Sequence, residues 1–208
     1  MTNDQVTYGI AGLVIGGLMV WLLTASANTT GFPGMMGQRR TAENQMMQSG
    51  QMDAHFIEQM IPHHEDAITM ANLALTKAQH PEIKQLAQSI IDSQSKEIEQ
   101  MKNWYQDWYG QELPTGEQVM QHHGMMSGGS MHMGMMGSEE DITRLEQAAD
   151  FDRAFIEHMI PHHQMAVMMA SMLKAGTERE EMKTLADNII TAQTSEIDQM
   201  REWYQAWF

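Results

Sequence analysis

His63 and His64 follow Met60 by three and four residues, and the same arrangement recurs as Met159 with His162 and His163. On a helix, residues three and four apart project toward one sector, so each set would offer a thioether and two imidazoles to a common volume. Thioether and imidazole suit Cu(I), whereas harder divalent ions take carboxylate, carbonyl and water. A lone histidine on an apolar stripe is more often a core side chain that has found a partner. Two adjacent ones, repeated beside Met, point instead to metal binding.

The recurrence is part of a longer duplication. Phe56-Ile57-Glu58-Gln59-Met60-Ile61-Pro62-His63-His64 falls on Phe155-Ile156-Glu157-His158-Met159-Ile160-Pro161-His162-His163, an offset of 99 that holds without a gap to the end of the chain. Met70 thereby falls on Met169, Glu97 on Glu196, Met101 on Met200, and Trp104 and Trp108 on Trp203 and Trp207. Repetition of a whole unit reports on architecture before any single residue does.

Each unit must position these side chains with two helices. Phe56, Met60, His63, Ala67, Met70 and Ala74 are spaced by threes and fours, as are Leu86, Ile90, Glu97, Met101, Trp104 and Trp108. Lys77 to Pro81 in one unit and Ala175 to Thr177 in the other supply the turns. Strand-type alternation is absent, so the fold class is all-α: tandem helical hairpins forming a four-helix bundle. The sequence leaves open whether both units share one bundle or form two mutually covering hairpins. With the first turn near residues 79 and 80, Met101 faces the region of Met60, and Glu97 faces Pro62 to His64. An unpaired carboxylate on an apolar stripe is costly, and orienting an imidazole relieves that cost. Glu97 and Glu196 are therefore expected behind the histidines rather than on the ion. Pro62 and Pro161 should kink their helices or begin new ones just before each His pair.

The units are not identical. The second adds a stripe of His158, Met165 and Met172, with Met168 beside it, and the first adds Met52 and His55. Between the units, His122, His123, Met125, Met126, His132 and Met133 are interleaved with Gly and Ser. Such a stretch cannot bury a core, so its methionines are not core fillers. All of these are further candidate ligands, and several ions per chain are expected at sites of unequal strength.

Composition narrows the function classes. The 24 Met and absence of Cys give soft ligands that cannot be captured as disulfides, an arrangement suited to an oxidising compartment. With 12 Lys and Arg against 27 Asp and Glu, the net charge of -15 repels phosphate backbones and speaks against nucleic-acid binding. Thiolate nucleophiles and blue-copper sites are excluded, and neither Glu-x-x-His nor His-Glu-x-x-His occurs. The expected class is a binding protein and not an enzyme. A copper-dependent oxidase and a membrane-tethered helical interaction module without metal are the competing readings.

Tyr8 to Leu23 is an uncharged apolar run of roughly 16 residues, followed by the small residues Ala25-Ser26-Ala27. The expected organisation is an export signal or membrane anchor over 1–27, a Met- and Gly-containing linker over 28–49, a first hairpin over 50–110, a Met-, His- and Gly-rich connector over 111–148 and a second hairpin over 149–208. Export would place the protein in the periplasm or outside the cell, with membrane contact through the N-terminal segment.

At Phe-Ile-x-x-Met-Ile-Pro-His-His, followed by Met70 or Met169 and by Gln-x-x-Glu-Ile-x-x-Met-x-x-Trp, the chain resembles a bacterial domain-of-unknown-function family of secreted helical proteins that includes periplasmic copper-binding proteins of copper resistance. The resemblance covers both repeats. It implies a ferritin-like four-helix bundle with Cu(I) and Ag(I) sites. By resemblance, the ligand positions are Met60, His63, His64, Met70 and Met101, with Met159, His162, His163, Met169 and Met200. Asp53 and Asp152 also match family positions. The partners expected are copper ions and a copper exporter or chaperone.

Overall fold

The structure, a computed structural model, describes residues 35–114 and 139–208, with side chains over 49–114 and 141–208. Five helices are described: α1 (Met35–Lys77), α2 (Pro81–Tyr109), α3 (Glu139–Glu146), α4 (Phe151–Gly176) and α5 (Glu180–Trp207). The N-terminal apolar run and the connector residues His122, His123, Met125, Met126, His132 and Met133 lie outside the described residues. Among the described residues, no helix is long and apolar enough to cross a membrane.

Local chemistry accounts for the helix limits. Pro81 opens α2 at a position whose backbone N–H would have no helical partner anyway. Gly110 ends it at φ 65°, in the left-handed region that a Cβ disfavours. Asp150 caps α4 by accepting from the Arg153 N–H at 3.1 Å. Glu180 and Glu181 lie in the first turn of α5, where the helix dipole favours negative charge. Both α1 and α4 continue unbroken through Pro62 and Pro161, so neither proline starts a new helix. Helix extends beyond the hairpin units: α1 begins within the stretch read as linker, and α3 lies within the stretch read as connector. Leu145 explains α3, because its side chain is fully buried in the core beside partly buried Ile142.

One bundle is shared by both units. The first core cluster joins Ala67 to Ala74 of α1, Ala78 of the turn, Ile83 to Ile90 of α2, Leu145, Phe151 to Met159 of α4, and Met200 of α5. The second joins Phe56 to Ile61 of α1, Ile98 to Tyr105 of α2, Ala166 to Leu173 of α4, and Met182 to Ile189 of α5. The middle of α1 thus packs with the late half of α4, and the end of α1 with the start of α4, which makes those two helices antiparallel. Each fully buried Ile, Leu, Met or Phe contributes on the order of 1.5–3 kcal/mol. Neither hairpin could retain that alone, since its inner face is covered by the other.

Reciprocal contacts lock the arrangement. Asp152 on α4 accepts from the backbone N–H groups of Gln79 and His80, and from His80 Nδ1 at 2.6 Å, at the turn of the other unit. Asp53 on α1 pairs with Arg179 Nε at 3.2 Å, at the turn of the second unit. His80 stacks on Trp207 with ring centroids 3.8 Å apart, and Arg179 lies 4.1 Å over Trp108. Each unit therefore clasps the other's turn.

Candidate metal centre

Between the two core clusters, the inner faces of α1 and α4 carry four histidines. His63, His64, His162 and His163 are all buried, His64 and His163 completely. His63 and His162 meet across the helix interface with ring centroids 3.7 Å apart. His64 lies 6.4 Å from His63, and His163 lies 6.3 Å from His162. The four imidazoles form a row in the order His64, His63, His162, His163. Hairpin pairing alone would have put two in each unit, and antiparallel packing of α1 on α4 joins them.

The outer pair is oriented from the second arm of each hairpin. His64 Nε2 donates to Glu97 Oε2 at 2.7 Å, and His163 Nε2 donates to Glu196 Oε2 at 2.7 Å. A neutral imidazole that donates from Nε2 presents its lone pair at Nδ1. Both of those Nδ1 atoms are buried without a protein partner. The expected convergence of Glu97 with His64, and of Glu196 with His163, is what the structure contains.

The inner pair is kept neutral. Burial, reinforced by the charge that neighbouring histidines would carry, lowers the His63 pKa to about 3 and the His162 pKa to about 2. Deprotonated imidazole is the metal-binding form. His63 Nδ1 and both ring nitrogens of His162 are also buried without partners. An unsatisfied buried polar atom costs about 1–3 kcal/mol, so a row holding several of them is a poor device for stability. It is a good one for a ligand that accepts nitrogen lone pairs.

Methionines flank the row on both sides. Met60 and Met101 are fully buried in the second core cluster, and Met159 and Met200 are fully buried in the first. Among the described residues, no three His, Asp or Glu side chains group so as to hold a metal ion. A metal here would therefore draw on thioether sulfur, which selects soft ions over hard ones. The donor set fits Cu(I) and Ag(I).

The other sequence candidates separate from the row. Met70 lies ten residues from Met60, about 15 Å along a helix, and packs in the opposite cluster. Met169 is likewise distant from Met159 and packs partly buried against the second cluster. Met52, Met168 and Met172 are exposed, and Met165 and His158 are half-buried. His55 is exposed, with its Nε2 2.9 Å from the Gln59 amide nitrogen.

Gln94 and Gln193 open the Gln-x-x-Glu-Ile motif of each unit, although the sequence assigned them no role. Both are buried one turn before Glu97 and Glu196, with Oε1 unpartnered. The signal was present as an amide on an apolar stripe, repeated at the 99-residue offset. Asp53 and Asp152, matched by resemblance, hold the hairpin turns and do not join the histidines. Burial raises the pKa of Asp53, a tendency opposed by Thr177 and Arg179.

Comparison with known proteins supplies the relationship. The family model described as "Domain of unknown function (DUF305)" matches residues 17–72 and 53–204. The solved structure titled CopM in the Cu(II)-bound form is 52% identical, with a TM-score of 0.64, covering 75% of this chain and 97% of that one. CopM in the Cu(I)-bound form is 49% identical at a TM-score of 0.62, covering 75% and 97%. A DUF305 fragment from Deinococcus radiodurans is 28% identical at a TM-score of 0.61, covering 74% and 96%. An uncharacterized protein of Acanthamoeba polyphaga mimivirus is 45% identical over 51 residues, which are 24% of this chain and about a third (34%) of that protein's length. On these matches, this chain is a member of the DUF305 family.

Proposed function

We propose that this protein binds Cu(I), and Ag(I) by the same chemistry, outside the cytoplasm, and serves copper sequestration, transfer or resistance. The carrying observation is the set of four buried histidines with partnerless ring nitrogens, in a bundle whose two adjoining core clusters each bury two of Met60, Met101, Met159 and Met200. The bound forms in which CopM has been solved, with Cu(II), Cu(I) and Ag, support the same reading. Met60, His63, His64 and Met101 form one half of the binding layer, and Met159, His162, His163 and Met200 form the other. Glu97 and Glu196 orient the outer imidazoles. Preference for Cu(I) follows from thioether softness. An extracytoplasmic setting is supported by the Met-rich, Cys-free composition and the N-terminal apolar run. The protein acts as a carrier and not as an enzyme, exchanging copper with an exporter or chaperone.

The test is an anaerobic Cu(I) titration against a competing chelator, comparing the wild type with a Met60→Leu, His64→Gln, Met101→Leu variant. At least tenfold weaker binding, about 1.4 kcal/mol, is expected for the altered half of the layer. Unchanged affinity would reject the bundle as the binding site.

A further inference from the structure

The helices that bring the histidines together also create an asymmetry at the surface. On α4, His162, Met165, Met169, Met172 and Gly176 are spaced by three, four, three and four residues, so they form one stripe. Both ends of that stripe touch α1. His162 lies against His63. The thioether of Met52 lies directly against Gly176, in space that a Cβ there would share. The stripe between those anchors must face the same flank of α1, which carries Met52, His55 and Gln59 before His63. A further contact fixes the register, the Glu178 N–H donating to Ser49 Oγ at 3.0 Å.

The methionines and histidine that the 99-residue duplication leaves unmatched therefore lie on one α1/α4 flank. The pseudo-equivalent seam at the other end has no such set. Met165 and Met172 are there replaced by Asp66 and Leu73, and Met52 and His55 by Phe151 and Ala154. The methionine seam is also open to solvent: Met52 is 41% exposed and Met172 65%. Large exposed apolar side chains gain little from burial, whereas exposed thioethers remain available to a soft cation.

We propose that this seam is a second, surface-open site for a soft monovalent cation, built from Met52, Met165 and Met172 with Met169 and His55 at its margin. It rests on the soft-metal reading of the buried layer but uses different side chains. One end of the bundle would then take up and release ions that the other end does not.

Silver(I), which is redox-inert, is the probe, and the full chain is labelled with ¹³C at its methionine methyl groups. Saturable shifts of the Met52, Met165 and Met172 methyls are expected on titration. A Met52→Leu, Met165→Leu, Met172→Leu variant should lose at least one bound Ag(I) by native mass spectrometry. If the Met60, Met101, Met159 and Met200 methyls shift while the seam methyls stay still, the seam is overturned and the buried layer stands. Full retention of Ag(I) by the triple variant likewise overturns the seam. If no methionine methyl responds, both readings fall.

Discussion

The first hairpin turns through His80 and the second through Arg179, at equivalent positions of the duplication. Both side chains reach a buried aspartate on the other unit and lie flat over an equivalent tryptophan. The histidine row, by contrast, uses the same residue types in both units, and the α1/α4 seam uses different ones at its two ends. The clasp at the turns needs only a planar donor that can also stack, which imidazole and guanidinium both satisfy. A ligand field is less forgiving, because replacing nitrogen or sulfur changes which ion binds. Substitution between the units thus preserves the clasp at the turns, whereas at the seam it would change the ions that the proposed site accepts.

The largest expected effect tests the symmetric part. Unfolded imidazoles titrate near 6.5, while folded His63 and His162 titrate at about 3 and about 2. Between those values the unfolded chain binds protons that the folded chain does not. Stability should therefore fall as pH drops from about 6.5 toward 3, by up to about 1.4 kcal/mol per pH unit for each imidazole. Urea unfolding of metal-free protein at a series of pH values measures this. Replacing both residues with Gln should flatten the slope, and replacing either one should remove a similar share.

Next come the two clasps. Asp152→Ala strands the Gln79 and His80 N–H groups and should destabilise by about 1–3 kcal/mol. Asp53→Asn should cost less, because burial already disfavours the Asp53 carboxylate and the half-exposed Arg179 can turn to water. Equal losses in thermal unfolding would contradict the difference in their partners.

Glu97→Ala and Glu196→Ala should weaken the two units alike, by about 1–2 kcal/mol each, since each leaves a buried Nε2 without its acceptor. Both variants should also loosen Cu(I) binding by releasing the imidazole they orient. A large difference between them, read by the same unfolding and titration experiments, would show that the outer histidines are not equivalent.

The smallest effect belongs to the seam. Met172→Leu should change stability by no more than about 0.5 kcal/mol, as its side chain is mostly solvated. A substantial loss of thermal stability in that variant would make Met172 a packing residue and remove its availability as a ligand.

Much of this was legible in the residues. The 99-residue offset and the three-four spacing were enough for two helical hairpins, and hairpin pairing brought Glu97 to His64 and Glu196 to His163. These are local or short-range relations, set by helix period and turn position. The short helix α3 was hidden because its eight residues, Glu139–Glu146, bury one leucine and lack a long periodic stripe. Met70, matched by resemblance, packs in the cluster of Met159 and Met200 and not in that of Met60, a placement that depends on how α1 crosses α4.

By itself, the sequence determined the helical class and the duplication, since the helical period is local and the 99-residue self-match is read residue by residue along the chain. Only the tertiary structure decided that both units share one bundle, with α1 antiparallel to α4. That single packing choice set His63 against His162, sent Asp53 and Asp152 to the opposite unit's turn, and laid Met52 against Gly176. The physical reason is that contact across α1 and α4 joins residues such as His63 with His162 and Met52 with Gly176, far apart in the chain, where no helical period carries information, and the register is selected by burying both apolar faces at once.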